Sequence, residues 1–376
     1  MMDAWWQADC LAINEKVKAE AEDRQEILTK PPGSLGRLEE IAITLAGLYG
    51  DNRPEIKKPL ITIFAADHGV VAQGVSAFPQ AVTVEMVRNF LKGGAAISVL
   101  AQCNQSDLNV VNCGTAFDVY EEVNLPAESE QCFHDQSFHD QRLLDTPIAA
   151  GTADLSIESA MTEAQLEQAL AIGQKVIDQA LQDGNDVFIA GEMGIGNTTS
   201  ASALGCAYLN QSAEVMTGRG TGIDDKTLIH KTNIIEQALA RLKSDDEDLG
   251  SQNPEAILQE LGGFEIAAMV GAYIRCAQLG IPVLVDGFIT TAAALAAYKM
   301  NPQVIDWLLF SHQSQEQGHR YLLGALHAKP LLDLDLRLGE GSGAATVLPL
   351  LRQSCALHTG MATFAEAAIS AEKTES

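Results

Sequence analysis

The sequence contains few basic residues: 24 Lys and Arg stand against 50 Asp and Glu, which gives a formal net charge of −26. A protein that binds nucleic acid or an anionic membrane by general electrostatic attraction needs the opposite balance. We therefore expect neither as a partner. An anionic small molecule would have to be held by local backbone amides and a few basic side chains, against the field of the surrounding acids.

Cysteine pairs and long apolar runs are also missing. The seven cysteines include no Cys-x-x-Cys pair and their number is odd, so the sequence predicts no disulfide framework and a reduced, cytoplasmic compartment. No stretch approaches the ~20 uninterrupted apolar residues of a membrane span. Residues 1–16 combine tryptophans with charges and lack the apolar centre of a signal peptide.

The most informative segment that is present runs from Gly191 to Ser200. It follows the apolar stretch 186–190 and precedes the helix-like run 201–205. Its glycines let the backbone approach an anion, its first helical N–H groups are unpaired, and its Asn and Thr side chains add donors and a helix cap. It lacks the lysine of a Walker loop and the G-x-G-x-x-G spacing. The segment predicts a phosphate or carboxylate site, and the alternative is a strand-to-helix turn without a ligand.

Short apolar strands alternate with helices beyond residue 55, which predicts an α/β fold with a parallel sheet covered on both faces. In such sheets, ligands bind beyond the carboxyl ends of the strands. Polar residues follow five predicted strands and point to one shared site in an enzyme. These strand ends are Asp67-His68, 112–115, 191–194, Asp286-Gly287 and Ser311-His312.

The apolar periodicity predicts helices over 79–102, 226–242 and 314–327 and a strand over 305–310. Residues 121–146 carry a short Phe-His-Asp-Gln duplication, which we interpret as a polar surface loop rather than a metal site. Residues 244–254 read as an acidic, exposed connection between helices.

Eight segments, in this order, resemble the nicotinate-nucleotide–dimethylbenzimidazole phosphoribosyltransferase family over about residues 30–360. The segments are SLGRLE (34–39), AADHGV with GVSAFPQ (65–80), GEMGIGNTTS (191–200), TGRGTG (217–222), GGFE (262–265), DGF (286–288), SHQSQEQGH (311–319) and RLGEGSGAA (337–345). Each motif is moderately specific, and the whole set in the family's order is very specific.

The resemblance implies a Rossmann-like parallel sheet flanked by helices, with a small helical domain built from the N- and C-terminal segments. The expected boundaries are 1–55 and 351–376 for the helical segments and 56–350 for the α/β catalytic domain. Because family members are homodimers, the resemblance also implies that helices of a second copy border the site.

The resemblance further implies a reaction. The phosphoribosyl group of nicotinate mononucleotide passes to 5,6-dimethylbenzimidazole, which yields α-ribazole 5′-phosphate and nicotinate for the lower nucleotide loop of cobalamin. Nicotinate leaves as a neutral ring nitrogen, so we expect no metal and no cofactor. One base must take the proton from the other benzimidazole nitrogen. The family's base matches Glu316, although its position is also typical of a first-turn acid that complements a helix dipole.

Two further charged residues of the family's site match Glu192 and Lys231. Lys231 would neutralise the phosphate, although lysines in such a helix are usually solvated, and Glu192 would order the turn and the ribose. The residues expected to hold the phosphate or nucleotide are Gly194, Ile195, Gly196, Asn197, Thr198, Gly339, Gly341, Ser342, Gly343 and Arg219. The residues expected to bind the aromatic base are Ser76, Phe78, Gln80 and Met193.

Two pairs of adjacent residues have structural roles in our interpretation. We interpret Asp67 and His68 as a pair that orders the end of a strand. Asp224 and Asp225 follow a Thr-Gly turn instead of preceding one, so we interpret them as caps of the next helix rather than as a pyrophosphate site.

Two other functions remain open from the sequence. One is a phosphoribosyltransferase for another base, such as adenine, a phenol or a different benzimidazole. The other is a regulator that binds a nucleotide without catalysis.

Overall fold

The computed structural model describes residues 4–120, 142–220, 222–242 and 252–369. These residues form a six-stranded sheet in which every pairing is parallel. The strands are β1 (Pro59–Ala66), β2 (Asp107–Gly114), β3 (Arg142–Asp145), β4 (Val187–Met193), β5 (Val283–Val285) and β6 (Leu308–Phe310). Their spatial order is β3-β2-β1-β4-β5-β6, which confirms the predicted α/β fold.

Helices cover the sheet and connect its strands. In chain order the α-helices of the described residues are α1 (Glu15–Ile27), α2 (Arg37–Tyr49), α3 (Ala81–Leu91), α4 (Ala96–Cys103), α5 (Glu163–Asp183), α6 (Asn197–Leu209), α7 (Ala213–Met216), α8 (Asp225–Leu242), α9 (Pro254–Leu261), α10 (Phe264–Leu279), α11 (Phe288–Met300), α12 (His319–Ala325) and α13 (Ser342–Gly360).

Strand β1 lies at the centre of the sheet and is buried along its whole length. Ile61 pairs with Leu108 of β2 on one side and with Ile189 of β4 on the other. The chain builds β2 and β3 outward from β1 and then returns to place β4 on the opposite side. The strand order therefore reverses between β1 and β4, and a crevice at such a switch point is where α/β sheets bind ligands.

The N- and C-terminal segments pack against each other. Arg24 donates to the His358 carbonyl oxygen (2.9 Å), and the Gln25 amide lies 2.7 Å from His358 Nδ1. Leu28 forms an antiparallel bridge with Thr363. Helix α13 continues through the expected boundary at residue 350, and the division into domains stays a prediction.

Three predicted elements differ from the structure near loops. The helix predicted over 79–102 is split into α3 and α4 because Gly93 (φ 78°) and Gly94 interrupt it. The first part of the strand predicted over 305–310 is a 3-10 helix, Pro302–Trp307. The helix predicted over 314–327 begins only at His319, because the Gln315 N–H pairs with the Leu336 carbonyl oxygen (3.0 Å) in an extended arrangement.

The interpretation of 121–146 as a loop is wrong for its last part, because Arg142–Asp145 forms the edge strand β3. Residues 121–141, with the Phe-His-Asp-Gln duplication, and 244–251 of the predicted acidic connection lie outside the described residues.

Six cysteines lie in the part of the chain that the structure describes, and all six are free thiols. Across those same ranges, the helices are too short or too polar to cross a lipid bilayer.

The close approach of α5 and α10 depends on glycine. A Cβ atom at Gly173 would overlap the carbonyl oxygen of Ala268. We expect Gly173→Ala to lower the free energy of unfolding by about 1–3 kcal/mol, the usual cost of overpacking. Urea unfolding would measure it. Gly324→Ala in α12 is the control, because a Cβ there meets nothing within 4 Å. Equal stability of the two variants would contradict the argument.

Candidate active site

A cavity of about 660 Å³ opens at the carboxyl edge of the sheet, on the side of β4, β5 and β6. Its polar lining includes Glu192 at the end of β4, Asp286 after β5 and His312 after β6. The loop before α12 adds Glu316, and the turn before α13 adds Glu340. The cavity thus collects carboxylates from segments that are far apart in the sequence.

The ends of β1 and β2 do not line this cavity. Asn112 donates its side-chain amide to Asp145 of β3 (2.8 Å). Asp67 accepts hydrogen bonds from the Thr83 hydroxyl (2.6 Å) and the Ala116 N–H (2.8 Å). Of the five strand ends that the sequence placed at one site, the three on β4, β5 and β6 form it.

The interpretation of Asp67 and His68 as a mutual pair is wrong. His68 Nε2 lies 2.7 Å from Glu265 Oε1 at the start of α10, and both side chains are fully buried. The Glu265 carboxylate packs beneath Gly194, where a Cβ would lie 3.4 Å from Oε1. Asp67 and His68 therefore each have a partner from another element instead of each other.

The turn after β4 is closely packed. Gly196 has φ +100°, and a Cβ at Gly194 would overlap the carbonyl oxygen of Ala66. The Ile195 N–H donates to Thr83 Oγ1 (3.1 Å), whose own proton is donated to Asp67. The amide of Ile195 is therefore used within the protein, and this contact fixes the turn to α3.

Asn197 does not cap α6, because the N-cap is Gly196, which forms no side-chain capping bond. The side-chain amide of Asn197 instead donates to Glu192 Oε2 (2.5 Å), and the Glu340 N–H donates to Glu192 Oε1 (3.3 Å). Burial and the negative charge of Asp286 raise the pKa of Glu192 well above its ordinary value. Both effects make the ionised form of Glu192 harder to reach than that of an ordinary glutamate, while the two hydrogen bonds that it accepts oppose them.

Asp286 occupies the N-terminus of α13. Its carboxylate accepts the N–H groups of Gly341 (3.2 Å) and Ala344 (2.8 Å). Burial raises the pKa of Asp286, and the neighbouring His312 opposes that shift. A Cβ at Gly343 would overlap the His312 ring. The turn that was expected to face a nucleotide is therefore largely filled by internal groups.

Four residues of the turn before α13 were expected to bind the nucleotide: Gly339, Gly341, Ser342 and Gly343. Of these, Gly339 lines the cavity, and its carbonyl oxygen accepts the Ser342 hydroxyl (2.6 Å). Their neighbour Glu340 was not predicted. It has φ +63°, burial raises its pKa to about 7, and its Oε2 has no hydrogen-bond partner among the described residues. A glutamate in a Gly-rich turn is typical of a solvated loop, so no local signal identified it.

Lys231 lies in a small cleft against the turn after β4. Its Nζ donates to Thr198 Oγ1 (2.8 Å) and lies 3.4 Å from the Gly218 carbonyl oxygen. The residue is 1% exposed, so it is not a solvated helix lysine. Burial lowers the pKa of Lys231 to about 8, against the opposing charge of Glu316.

Arg219 lines the same cleft and not the main cavity. Its guanidinium pairs with Asp225 and donates to the Ile223 carbonyl oxygen (2.9 Å). Asp224 caps α8 by accepting the Thr227 N–H (2.8 Å). The capping prediction is thus confirmed for Asp224, whereas Asp225 binds Arg219.

Glu316 sits in the loop between β6 and α12, half-buried at the cavity wall. Gly218 packs against its carboxylate, because a Cβ there would overlap Oε2, and the Gly220 N–H hydrogen-bonds to it. Burial raises the pKa of Glu316, and the positive charges of Lys231 and Arg337 oppose that shift. The alternative of a first-turn helix acid is wrong, since α12 starts after this residue.

Two of the four residues predicted to bind an aromatic base line the cavity, and two do not. Phe78 and Met193 line the cavity. Ser76 lies in the small cleft and accepts the Phe78 N–H (3.2 Å), and Gln80 donates to the His68 carbonyl oxygen (3.1 Å). Further apolar lining that the sequence analysis did not select comes from Phe288, Leu336 and Leu338.

The site therefore combines an apolar slot, a carboxylate with a raised pKa and a buried lysine at a Gly-rich helix start. Such a combination suits the transfer of a phosphorylated group to an aromatic acceptor. Over the described ranges, no cluster of three or more His, Cys, Asp or Glu side chains is arranged to hold a metal ion.

Comparisons with known proteins agree with this chemistry. The DBI_PRT family model, described as phosphoribosyltransferase, matches residues 10–369. The chain is 52% identical over 370 residues to the nicotinate-nucleotide–dimethylbenzimidazole phosphoribosyltransferase of Xanthomonas euvesicatoria, covering 98% of this chain and 99% of that protein. It is 50% identical over 366 residues to the protein of the same name from Pseudomonas aeruginosa, covering 97% and 98%. The crystal structure of CobT from Thermus thermophilus aligns with a TM-score of 0.84 at 42% identity, covering 94% of this chain and 99% of that one.

The hydrogen bond from the Ile195 N–H to the Thr83 hydroxyl is expected to stabilise the fold. Thr83→Val keeps the side-chain volume but leaves the buried Ile195 N–H and one Asp67 oxygen without this partner. We expect the free energy of unfolding to fall by about 1–3 kcal/mol in a urea titration. Thr83→Ser keeps the hydroxyl and is the matched control. A valine variant as stable as the serine variant would refute this role of the hydroxyl.

Proposed function

The chain belongs to the DBI_PRT family of phosphoribosyltransferases, and we propose that it transfers the phosphoribosyl group of nicotinate mononucleotide to 5,6-dimethylbenzimidazole. The products are α-ribazole 5′-phosphate, a building block of the lower nucleotide loop of cobalamin, and nicotinate. The observation that carries this proposal is the position of Glu316 and Lys231 beside the Gly194–Thr198 turn. Relatives with this named activity match nearly the whole chain.

The reaction exchanges one carbon–nitrogen bond for another. The bond from C1′ to the pyridinium nitrogen breaks, and its electron pair stays on nicotinate, which leaves without needing a proton. A benzimidazole nitrogen attacks C1′ from the opposite face, which inverts the β-nucleotide to an α-riboside. The other benzimidazole nitrogen then carries a proton that must be removed.

Glu316 is the proposed general base. An ordinary Glu, with a pKa of about 4.3, is a weak base at neutral pH. Burial raises the pKa of Glu316 and strengthens it as a proton acceptor, while Lys231 and Arg337 limit the rise so that the ionised form stays available. The apolar slot beside it, with Phe78 and Met193, suits the flat benzimidazole ring.

The turn after β4 is the proposed site of the 5′-phosphate. The N-terminus of α6 carries positive partial charge, and Lys231 adds a full charge next to Thr198. Gly194, Gly196 and Asn197 border the same cleft. Because the Ile195 N–H is used by Thr83, we assign Ile195 a lining role here.

We also assign roles to Glu192, to Arg219 and to the turn before α13. Glu192 lies at the end of β4 between the turn and the cavity, and a protonated Glu192 would donate to a ribose hydroxyl. Arg219 borders the phosphate cleft, and its bond to Asp225 makes it a support of that wall. Gly339 borders the cavity beside Glu192, whereas Gly341, Ser342 and Gly343 build the start of α13.

The expectations of a homodimer and of a cytoplasmic location stay predictions. The same cleft and base would also serve a phosphoribosyltransferase for another aromatic base, because the apolar lining sets no unique ring pattern. Lys231 and Glu316 together favour catalysis over a nucleotide-binding regulator, since binding alone does not require a carboxylate with a raised pKa.

Nicotinate release tests the function and the base together. The purified protein is expected to release nicotinate from nicotinate mononucleotide only when 5,6-dimethylbenzimidazole is present, with a new riboside phosphate seen by chromatography. In Glu316→Gln, kcat should fall about 10²- to 10⁴-fold, the usual contribution of a general base, while nucleotide binding persists. Glu214→Gln, at a nearby exposed carboxylate, is the control. No release with any benzimidazole would overturn the function, and an active Glu316→Gln variant would overturn the role of Glu316.

The pKa of Lys231 predicts a pH dependence. The ammonium is charged below about pH 8 and loses its charge above it. We therefore expect kcat/KM for nicotinate mononucleotide to fall as pH rises through about 8. In Lys231→Met the phosphate loses a charged partner worth ~1.5–3 kcal/mol, so kcat/KM should drop about 10- to 100-fold and lose this alkaline limb.

Lys226 is exposed on the same helix, so Lys226→Met is the control. We expect it to keep the value of kcat/KM and its fall above about pH 8. An alkaline limb that persists in Lys231→Met would assign it to another group.

A further inference from the structure

One buried imidazole is hydrogen-bonded to the loop that carries Glu316. Residues 311–318 join β6 to α12, and His319 is the first residue of that helix. The Ser314 N–H donates to His319 Nδ1 (2.8 Å), and the His319 N–H donates to the Glu316 carbonyl oxygen (3.0 Å). The Glu316 N–H in turn reaches Ser314 Oγ (3.3 Å). The ring therefore closes a short hydrogen-bonded circuit around the proposed base.

These contacts fix the protonation of the ring. A backbone N–H can only donate, so His319 Nδ1 must be an unprotonated acceptor. The proton of the neutral ring is then on Nε2, which lies 3.0 Å from Thr291 Oγ1 and donates to it. Thr291 belongs to α11, which starts directly after the Asp286-Gly287 pair. The ring thus connects the loop of the base to a helix that borders the cavity.

The environment of the ring keeps it neutral. His319 and Thr291 are both fully buried. The titratable neighbour that faces the ring is His312, with ring centroids 6.3 Å apart. Burial, with a smaller contribution from His312, lowers the pKa of His319 to about 3. The burial of the ring and the hydrogen bond from the Ser314 N–H to Nδ1 thus both favour the neutral form.

We infer that His319 is a positioning residue for Glu316, acting as a permanently neutral ring that accepts from Ser314 and donates to Thr291. The inference rests on the proposed function, because it needs Glu316 to be the base. Its physical reason is distance. A shift of about 1 Å in a catalytic group can cost about 10²-fold in rate, and the circuit fixes Glu316 within a loop that backbone pairing with residues 332–336 also holds.

Two substitutions separate the two bonds of the ring. In His319→Asn the amide oxygen replaces Nδ1 as acceptor, whereas in His319→Gln the amide nitrogen replaces Nε2 as donor. We expect His319→Gln to lower kcat about 10- to 100-fold with the KM for nicotinate mononucleotide unchanged, and His319→Asn to retain most of kcat. A purely structural role would lower the folded fraction of both variants and would not separate kcat from KM.

A double-mutant cycle tests whether the effect acts through Glu316. With the base removed, its position no longer matters, so Glu316→Gln/His319→Gln should be as slow as Glu316→Gln alone. If the two losses multiply instead, His319 does not act through Glu316 and the inference is overturned. If Glu316→Gln by itself is as fast as the unaltered enzyme, the assignment of the base fails first, and the inference fails with it.

A measurement on the unaltered protein covers the case in which the variants do not fold. Nitrogen NMR of histidine-labelled protein is expected to show His319 with Nδ1 unprotonated and Nε2 protonated between about pH 5 and about pH 9. A ring that titrates in this range, or that carries its proton on Nδ1, would overturn the inference.

Discussion

The carboxylate of Asp286 is the contact on which the shape of the cavity depends. It follows β5 and accepts the N–H groups of Gly341 and Ala344, which fixes the start of α13 at the edge of the sheet. That position brings the Glu340 N–H onto Glu192. A helix N-terminus carries roughly half a positive charge, and here the buried side chain of Asp286 meets it. Removing this carboxylate would release the turn before α13 and the wall that the turn forms.

The structure uses its two site-facing helix starts differently. The backbone N–H groups at the start of α13 bind Asp286, while the start of α6 faces a cleft with Lys231, and Glu192 meets only the side chain of its first residue, Asn197. The difference matters in a chain of net charge −26, which repels phosphate in general. Exposed charges are screened beyond about 8–10 Å, so a phosphate responds mainly to groups close to it. A buried lysine and a helix start can therefore bind an anion locally in spite of the acidic surface.

The parts of the site that could be predicted from the sequence are those written in short segments. The strand, turn and helix around Gly194 are local, and the family resemblance located Glu316 and Lys231. Contacts between distant segments could not be predicted, because Thr83 meets Ile195 and Asp286 meets α13 only after the sheet has formed. The sequence predicted that α12 begins at residue 314 instead of His319 for the same reason. Backbone pairing with residues 332–336 keeps the loop before the helix extended. The edge strand β3 is short and mostly exposed, so it lacks the apolar run that marks the others.

The carboxylates of the cavity divide into two kinds because their environments differ. Burial raises the pKa of Glu192, Asp286 and Glu340, and the negative charge of Asp286 adds to the rise at the other two. The protonation of such interacting groups is coupled. Burial raises the pKa of Glu316 as well, but its charged neighbours are Lys231 and Arg337, which oppose the rise instead of adding to it. Carboxylates in one cavity therefore differ in how their neighbours act on their pKa, and the elements that surround each of them determine that difference.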